Sequence, residues 1–420
     1  MIWLFFIALV LLALFGMPLF AVLGAIALVA FHGAGIDISS VAVAMYTLAG
    51  SPLLVAIPLF TFAGYLFAHS RAPDRLVRVS RALFPGGLAV VALVACAIFT
   101  AFTGASGVTI IAMGGLLLPA LEKSGYDRRF NLGLLTASGS LGLLFPPSLP
   151  LILYGYVAAV SVDDLFLAGL LPGTLLVVVL SIYAVHRGRR AGVRAQRPSL
   201  REVLAAVRGA AWEIPLPFVV LGGIYSGTIT VMEAAAITAV YALVVEVFVY
   251  RDIPVRRLGA ITRESMMLVG GILIILACAL GLTNYLIDAE VPMQILEWMQ
   301  GYVTSKYTFL LILNIFLLVV GCLMDIFSAL IVVVPLIVPV ALGFGVDPVH
   351  LGIVFLTNLE IGYLTPPVGL NLFISSYRFG EPVISLYRAS IPFLLLLLAA
   401  LLVITYFPAL SLFLVRLAGG

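Results

Sequence analysis

The stretch Thr357-Asn358-Leu359-Glu360-Ile361-Gly362, followed closely by Thr365-Pro366-Pro367-Val368-Gly369-Leu370-Asn371, decides the fold. It lies in an apolar run long enough to cross a bilayer. Its two consecutive prolines remove two backbone donors and disfavour helical geometry just before them. A helix broken there frees carbonyl oxygens near the middle of the membrane, where no bulk water satisfies them. A sodium ion ringed by carbonyls and by Ser, Thr and Asn side chains is one way to satisfy them; a proline kink healed by neighbouring helices or water is the other. An earlier stretch, Thr136-Ala137-Ser138-Gly139-Ser140-Leu141-Gly142 followed by Phe145-Pro146-Pro147-Ser148-Leu149-Pro150, has the same pattern. Two copies in register favour the ion over the kink.

The copies are separated by a constant 220 residues: Pro119, Gly125, Asp127, Gly142, Leu144, Pro146 and Pro147 recur as Pro339, Gly345, Asp347, Gly362, Leu364, Pro366 and Pro367, and Pro172 recurs as Pro392. Each broken helix follows an apolar run, 86–120 or 308–344, that is too long for one crossing and carries Gly or polar residues midway. Such a run predicts a re-entrant hairpin, or alternatively two short crossing helices. The hairpin tips are Thr103-Gly104-Ala105-Ser106-Gly107 and Gly321-Cys322-Leu323-Met324-Asp325-Ile326-Phe327-Ser328. Five single crossings separate the two hairpins in this reading. An odd number turns the second copy upside down, and inverted repeats with discontinuous helices are the architecture of secondary transporters.

Composition agrees. Of 420 residues, 63% are hydrophobic and 10% charged, with a mean hydropathy of +1.24, so the chain is expected to be an all-α polytopic membrane protein with the lipid bilayer as its solvent. About eleven stretches reach spanning length. The opening Met1-Ile2-Trp3-Leu4-Phe5-Phe6 has no basic region and its apolar run continues to about Ala30, which predicts a retained segment rather than a cleaved signal. The net charge of +3 says little; its placement says more. Loops 70–85, 121–129, 187–213, 251–263 and 378–388 hold twenty of the 22 Lys and Arg residues, and the segment count puts all five loops on one side. That side is cytoplasmic by the positive-inside rule, which predicts a cytoplasmic N-terminus, a periplasmic C-terminus and an acidic outer face.

Few residues inside the apolar runs can do chemistry. Glu233, Glu246, Asp325 and Glu360 are the acids within or at the ends of these runs. Asp325 and Glu360 sit in the two halves of one repeat unit, where a buried carboxylate is costly unless paired or ion-bound; Glu233 and Glu246 read as interfacial. No Lys or Arg falls deep in a run, so an anionic substrate would be held by the N-termini of broken helices, with Arg378 the nearest basic residue. Gly104-Ala105-Ser106-Gly107 also fits an intramembrane serine protease, but His32, His69, His186 and His350 all lie at segment ends. Asp325 has no second aspartate at comparable depth, and a phosphate-binding Gly-Lys-Ser/Thr loop is absent, so no enzyme activity and no use of ATP are expected. The three cysteines, Cys96, Cys278 and Cys322, lie in apolar runs and read as packing residues.

Several stretches resemble the large membrane subunit, or DctM type, of tripartite ATP-independent periplasmic (TRAP) transporters. They are Gly104-Ala105-Ser106-Gly107 through Pro119, Gly139-Ser140-Leu141-Gly142 through Pro146-Pro147-Ser148, Gly222-Gly223-Ile224-Tyr225-Ser226-Gly227 with Glu233-Ala234-Ala235-Ala236, and Asn358 through Asn371. The resemblance implies a sodium-driven importer of organic acids, such as C4-dicarboxylates or sialic acid, in a bacterial inner membrane. Its implied partners are a small four-helix membrane subunit (DctQ type), here a separate chain, and a periplasmic substrate-binding protein (DctP type). It also implies an elevator motion of a hairpin-bearing domain against a scaffold, and a sodium site behind each hairpin with substrate between the tips. A single-component sodium-coupled dicarboxylate or anion carrier of related fold is the alternative.

On this basis the first sodium is expected at Ser106, Ser138, Gly142 and Pro146, and the second at Asp325, Asn358, Gly362 and Thr365, some through carbonyls. Substrate contacts are expected from Gly104, Ser140, Ser148, Glu360 and Asn371. Sodium is the only metal expected, with no organic cofactor and no nucleic-acid partner. The expected organisation is scaffold helices over 1–85, first hairpin and broken helix over 86–160, a helix and basic loop over 161–213, and scaffold helices over 214–263. A connecting helix and outer loop over 264–307, second hairpin and broken helix over 308–378, and a C-terminal helix over 379–420 complete it.

Overall fold

The computed structural model describes residues 17–83, 87–193 and 199–419, with Leu9 and Leu12 ahead of them, and its regular structure there is helical throughout. The opening Met1–Phe6 run, Arg194 and Arg197 lie outside the described residues. Among the described residues, eight helices are long and apolar enough to cross a membrane, and several shorter apolar helices accompany them. The broken helices account for much of the difference from the sequence count, because each is two short pieces rather than one span.

The first unit comprises α5 (Leu88–Thr103), α6 (Ser106–Lys123), α7 (Arg128–Ser138), α8 (Leu149–Val157) and α9 (Val162–Arg190); the second comprises α15 (Lys306–Leu323), α16 (Ile326–Gly343), α17 (Pro348–Gly362), α18 (Leu370–Phe379) and α19 (Val383–Tyr406). The correspondence extends to local chemistry. Asp127 and Asp347 cap α7 and α17 with their carboxylates. Gly125 and Gly345 turn the chain before them at φ of 90° and 71°, a region costly for other residues. Pro146–Pro147 and Pro366–Pro367 are both cis. Helical bonding ends ahead of each proline pair, after eleven residues in α7 and fifteen in α17, so the first break begins four residues earlier in the repeat. Eleven residues rise about 16 Å, half the hydrocarbon thickness.

Both hairpins pack against those breaks, the first through the body of α5 and the second at its tip. A methyl on Gly142, just past α7, would lie 2.2 Å from the Ala97 carbonyl oxygen of α5, and one on Gly362 would lie 2.6 Å from the Gly321 backbone of α15. Each hairpin thus packs against a break, the contact that a re-entrant arrangement requires. The two units interlock, with α18 packed on α6 and α19 on α7.

A second group of helices packs chiefly on itself: α1 (Leu19–Gly33), α2 (Ser39–Ala49), α3 (Pro52–His69), α11 (Pro215–Tyr225), α12 (Val231–Leu243) and α13 (Val255–Asp288). Helix α12 runs on as a π-helical turn, Val244–Val249. Several regions expected as loops are helical. Residues 70–85 contain the amphipathic α4 (Ala72–Leu83), 187–213 contain α10 (Leu200–Gly209), 286–307 contain α14 (Val291–Gln300), and α13 already begins at Val255. The expected single C-terminal helix is two, α19 and α20 (Ala409–Gly419), broken at Phe407-Pro408.

Glu246 lies near the end of its candidate span and is fully buried within the protein, and Arg75, placed in a loop by the sequence, is buried against it. Arg75 contacts Glu213 at 2.5 Å, Asp252 at 2.6 Å and Glu246 at 2.9 Å, and lies 3.9 Å above the Tyr250 ring. Burial opposes the Arg75 charge, but the hydrogen bond to Asp252 and the charges of Glu213 and Glu246 outweigh it and hold the guanidinium above its ordinary value. Burial pushes the Glu213 carboxyl up to about 7, against the pull of Arg75. One cation facing three carboxylates leaves a negative excess, so a proton on Glu213 relieves the cluster. Glu233 caps α12 in a capping box with Thr230, as an end-of-segment acid should.

Candidate ion and substrate site

The first break folds around Thr100 of α5. Its Oγ1 lies 2.8 Å from the Cys96 carbonyl, 2.9 Å from the Gly139 carbonyl and 2.8 Å from Thr109 Oγ1. A methyl on Gly139 would sit 3.3 Å from the Ser106 carbonyl, and one on Gly142 would sit 2.5 Å from Thr100 Cβ. The structure therefore brings Ser106, Ser138 and Gly142 to one turn of α5, with Ser138 Oγ donating to the Leu135 carbonyl at 3.1 Å. Pro146 follows as the first residue of the cis pair. Thr100 escaped the sequence reading because its counterpart 220 residues on is Val320, so no repeat marks it.

In the second unit Asn358 is fixed by two donations from Nδ2, to the Val354 carbonyl at 2.8 Å and to Asn314 Oδ1 at 2.7 Å. Asn314 is held in turn by Thr405, to whose Oγ1 its Nδ2 donates at 3.1 Å. With its amide so oriented, Asn358 Oδ1 is buried and has no donor. A buried acceptor without a partner costs about 1–3 kcal/mol, and a cation is one remedy. Gly362 lies against Gly321, and Thr365 Oγ1 donates to the Ile361 carbonyl at 3.1 Å. The signal for Asn314 was present, as a lone amide within an apolar helix.

Asp325 departs from expectation. It is exposed rather than buried. Its Oδ1 accepts from Phe327 N and Ser328 N at 3.0 Å, and its Oδ2 from Ser328 Oγ at 2.5 Å. A short acid placed just before a helix satisfies the helix's first amides, so its position at the tip is accounted for by capping α16. Asp325 is thus not a buried carboxylate in need of a bound ion.

The two breaks touch through Asn371. Its Nδ2 lies 3.4 Å from both the Thr136 carbonyl and Ser140 Oγ, and Thr136 Oγ1 donates to Ser375 Oγ at 2.9 Å. Asn371 Oδ1 is buried without a donor. Ser148, the residue before α8, does not cap it, and its Oγ too is buried and unpartnered. Gly104, in the left-handed region at φ 65°, abuts Leu149, since a methyl there would lie 2.7 Å from Leu149 Cδ1. The uncapped N-termini of α6 and α8 are thereby adjacent, a pair of amide-rich, positively polarised ends suited to a carboxylate. Ser140, Ser148, Glu360 and Asn371 have 0% exposure, so this constellation is closed to solvent. Glu360 makes no hydrogen bond to the others: both of its carboxyl oxygens are buried without a partner.

Two interlocked, pseudo-equivalent hairpin-and-broken-helix units in an apolar helical body define a polytopic membrane permease. The chain matches the family model "Tripartite ATP-independent periplasmic transporter, DctM component" over residues 5–410. It is 38% identical over 381 residues to the C4-dicarboxylate TRAP transporter large permease protein DctM of Pseudomonas aeruginosa, covering 90% of this chain and 89% of that one. It is 34% identical to the isethionate TRAP transporter permease protein DctMQ of Oleidesulfovibrio alaskensis, covering 95% of this chain and 64% of that one. Among solved structures, the YdaH transporter of Alcanivorax borkumensis shares the fold with a TM-score of 0.60 at 14% identity, covering 88% of each chain. The chain belongs to the DctM family and is a TRAP transporter large permease subunit.

Proposed function

We propose that this subunit imports organic acids, C4-dicarboxylates or similar carboxylates, by coupling their entry to sodium. The observation that carries the reading is the buried, unpartnered Asn358 Oδ1 beside the second break. It is a neutral oxygen of the kind that binds a hard monovalent cation, and it lies four residues before the helix ends at Gly362. Sodium behind the first hairpin is assigned to Ser106, Ser138, Gly142 and Pro146, with Thr100 ordering the turn. Sodium behind the second is assigned to Asn358, Gly362 and Thr365, with Asp325 shaping the tip. The substrate carboxylate belongs at the α6 and α8 N-termini, near Gly104, Ser140, Ser148 and Asn371. A cation bound at each break polarises those termini further, so that sodium and carboxylate favour each other's binding.

The closed constellation must open to opposite sides in turn, and the hairpin units, packed mainly on each other, are suited to move as one body against α1–α3 and α11–α13. The cytoplasmic side is assigned to the basic loops. Substrate arrives from a periplasmic binding protein, and a small DctQ-type subunit docks on the second group of helices; the unmatched third of the DctMQ relative fits a fused small subunit. The test is reconstitution by parts. The chain alone should give negligible uptake of free acid, and adding the small subunit and the loaded binding protein should restore it. Full uptake by the lone chain would instead make it a single-component carrier.

A further inference from the structure

Helix α10 has an apolar stripe that no described residue covers. Leu200, Leu204 and Val207, spaced to fall on one face, are 76%, 62% and 38% exposed, and Trp212 just beyond the helix is 49% exposed. The adjoining stripe of Val203, Ala206 and Ala210 is withdrawn from solvent, and α10 packs on α4. Arg201 and Arg208 are exposed about a quarter-turn from the open stripe. The helix is well formed, with Ser199 and Glu202 making a full capping box, so this is a stable amphipathic element and not a fraying loop.

Its depth is fixed by two tyrosines. Tyr250 Oη donates to the Gly209 carbonyl at 2.9 Å, and Tyr241 Oη donates to the Trp212 carbonyl at 2.6 Å. Tyr241 lies within the candidate span Val231–Val249, nine residues or about 13 Å of helix before Tyr250. The end of α10 is therefore held at the level of a membrane-spanning helix and not out in water. An apolar stripe at that level, edged by arginines and ending in Trp, has the make-up of a helix lying in the headgroup region.

We propose that α10 is an interfacial anchor: Leu200, Leu204, Val207 and Trp212 enter the leaflet on the side of the basic loops, and Arg201 and Arg208 bind phosphates of anionic phospholipids. Charge complementarity selects this occupant, since exposed Arg201 and Arg208 edge the open apolar stripe. The anchor has a mechanical consequence. Glu213, four residues past α10, grips Arg75 of α4, and α4 leads into the first hairpin, so lipid held by α10 steadies the platform from which that hairpin swings. The proposal rests on the membrane reading, but not on which leaflet is cytoplasmic.

The test uses the full chain with Trp3→Phe and Trp298→Phe, leaving Trp212 of the three tryptophans, in vesicles of phosphatidylcholine with or without phosphatidylglycerol. Bromine carried near the headgroup should quench Trp212 more than bromine near the chain ends. Brominated phosphatidylglycerol should quench more than brominated phosphatidylcholine at equal fraction. Replacing Arg201→Gln and Arg208→Gln should remove that preference, with a local enrichment on the order of fivefold lost per arginine. Both residues are exposed, so an unchanged thermal midpoint is expected and separates lost lipid binding from misfolding. A Trp212 that no brominated lipid quenches, equal quenching by the two lipids, or quenching abolished by adding the small subunit would each overturn the proposal, the last by making this face a protein interface.

Discussion

Replacing Gly142 by Ala should separate the first hairpin from its break. The added methyl would lie 2.2 Å from the Ala97 carbonyl oxygen, 2.5 Å from Thr100 Cβ and 2.6 Å from Ala101 N, where ordinary contact is 3.4–4 Å. Two of these three atoms are helix backbone, so α5 must move by about 1 Å, at a cost near the upper end of the ~1–3 kcal/mol typical of overpacking. Gly362→Ala is the matched test in the second unit. It meets the Gly321 backbone at 2.6 Å and Cys322 N at 3.0 Å and should cost less. Gly222→Ala and Gly270→Ala meet nothing within 4 Å and serve as controls; in helices they should be neutral or stabilising by up to about 1 kcal/mol. The assay is the thermal midpoint of purified protein together with the sodium concentration for half-maximal uptake by the reconstituted transporter. The expected order of damage is Gly142, then Gly362, then the controls, with sodium half-saturation for Gly142→Ala raised on the order of tenfold, the equivalent of ~1.4 kcal/mol. If Gly142→Ala matches Gly222→Ala in both measurements, close hairpin-to-break packing does not build the ion site.

Asn358→Leu removes the unpartnered acceptor and should raise sodium half-saturation by roughly tenfold or more; Asn314→Leu, which only releases the amide's orientation, should have a smaller effect of the same sign, and the reverse order would place the ligand elsewhere. Asp325→Ala should cost about 1 kcal/mol of stability through the lost cap and leave sodium half-saturation unchanged, whereas a large rise would restore Asp325 as a ligand. Glu213, with its folded value raised from 4.5 to about 7, retains a proton that the unfolded chain releases. Stability should therefore fall as pH rises from about 4.5 to 7, by on the order of 3 kcal/mol. Thermal midpoints of purified Glu213→Gln across pH 5–8 should lack that slope, and an unchanged slope would move the titration to another group.

The repeat made much of the fold legible. Offset prolines, glycines and capping aspartates are local instructions, and the chain obeys them at the same positions in both units, from the Gly125 and Gly345 turns to the two cis pairs. Interfacial helices were hidden because their signal is amphipathic: α4 carries Arg71, Arg75, Arg78 and Arg81 in or beside it, and reads as a basic loop until its buried face is seen. Side-chain partnerships over long separations were not legible at all. Arg75 reaches Glu246 across 171 residues and Asn358 reaches Asn314 across 44, and neither pair has a counterpart 220 residues away to betray it. Asp325 misled because an acid in an apolar run suggests burial, while its use here is local, in the first turn of α16.

Sodium dependence of uptake is the most direct test. The chain, its small subunit and a binding protein loaded with labelled C4-dicarboxylate would be assembled in vesicles, and uptake followed under an inward sodium gradient, an inward potassium gradient, or a proton gradient in sodium-free buffer. Accumulation above equilibrium under the sodium gradient alone, with a sigmoidal sodium dependence, is the predicted result. Equal accumulation driven by protons without sodium would contradict the assignment of sodium to the two breaks.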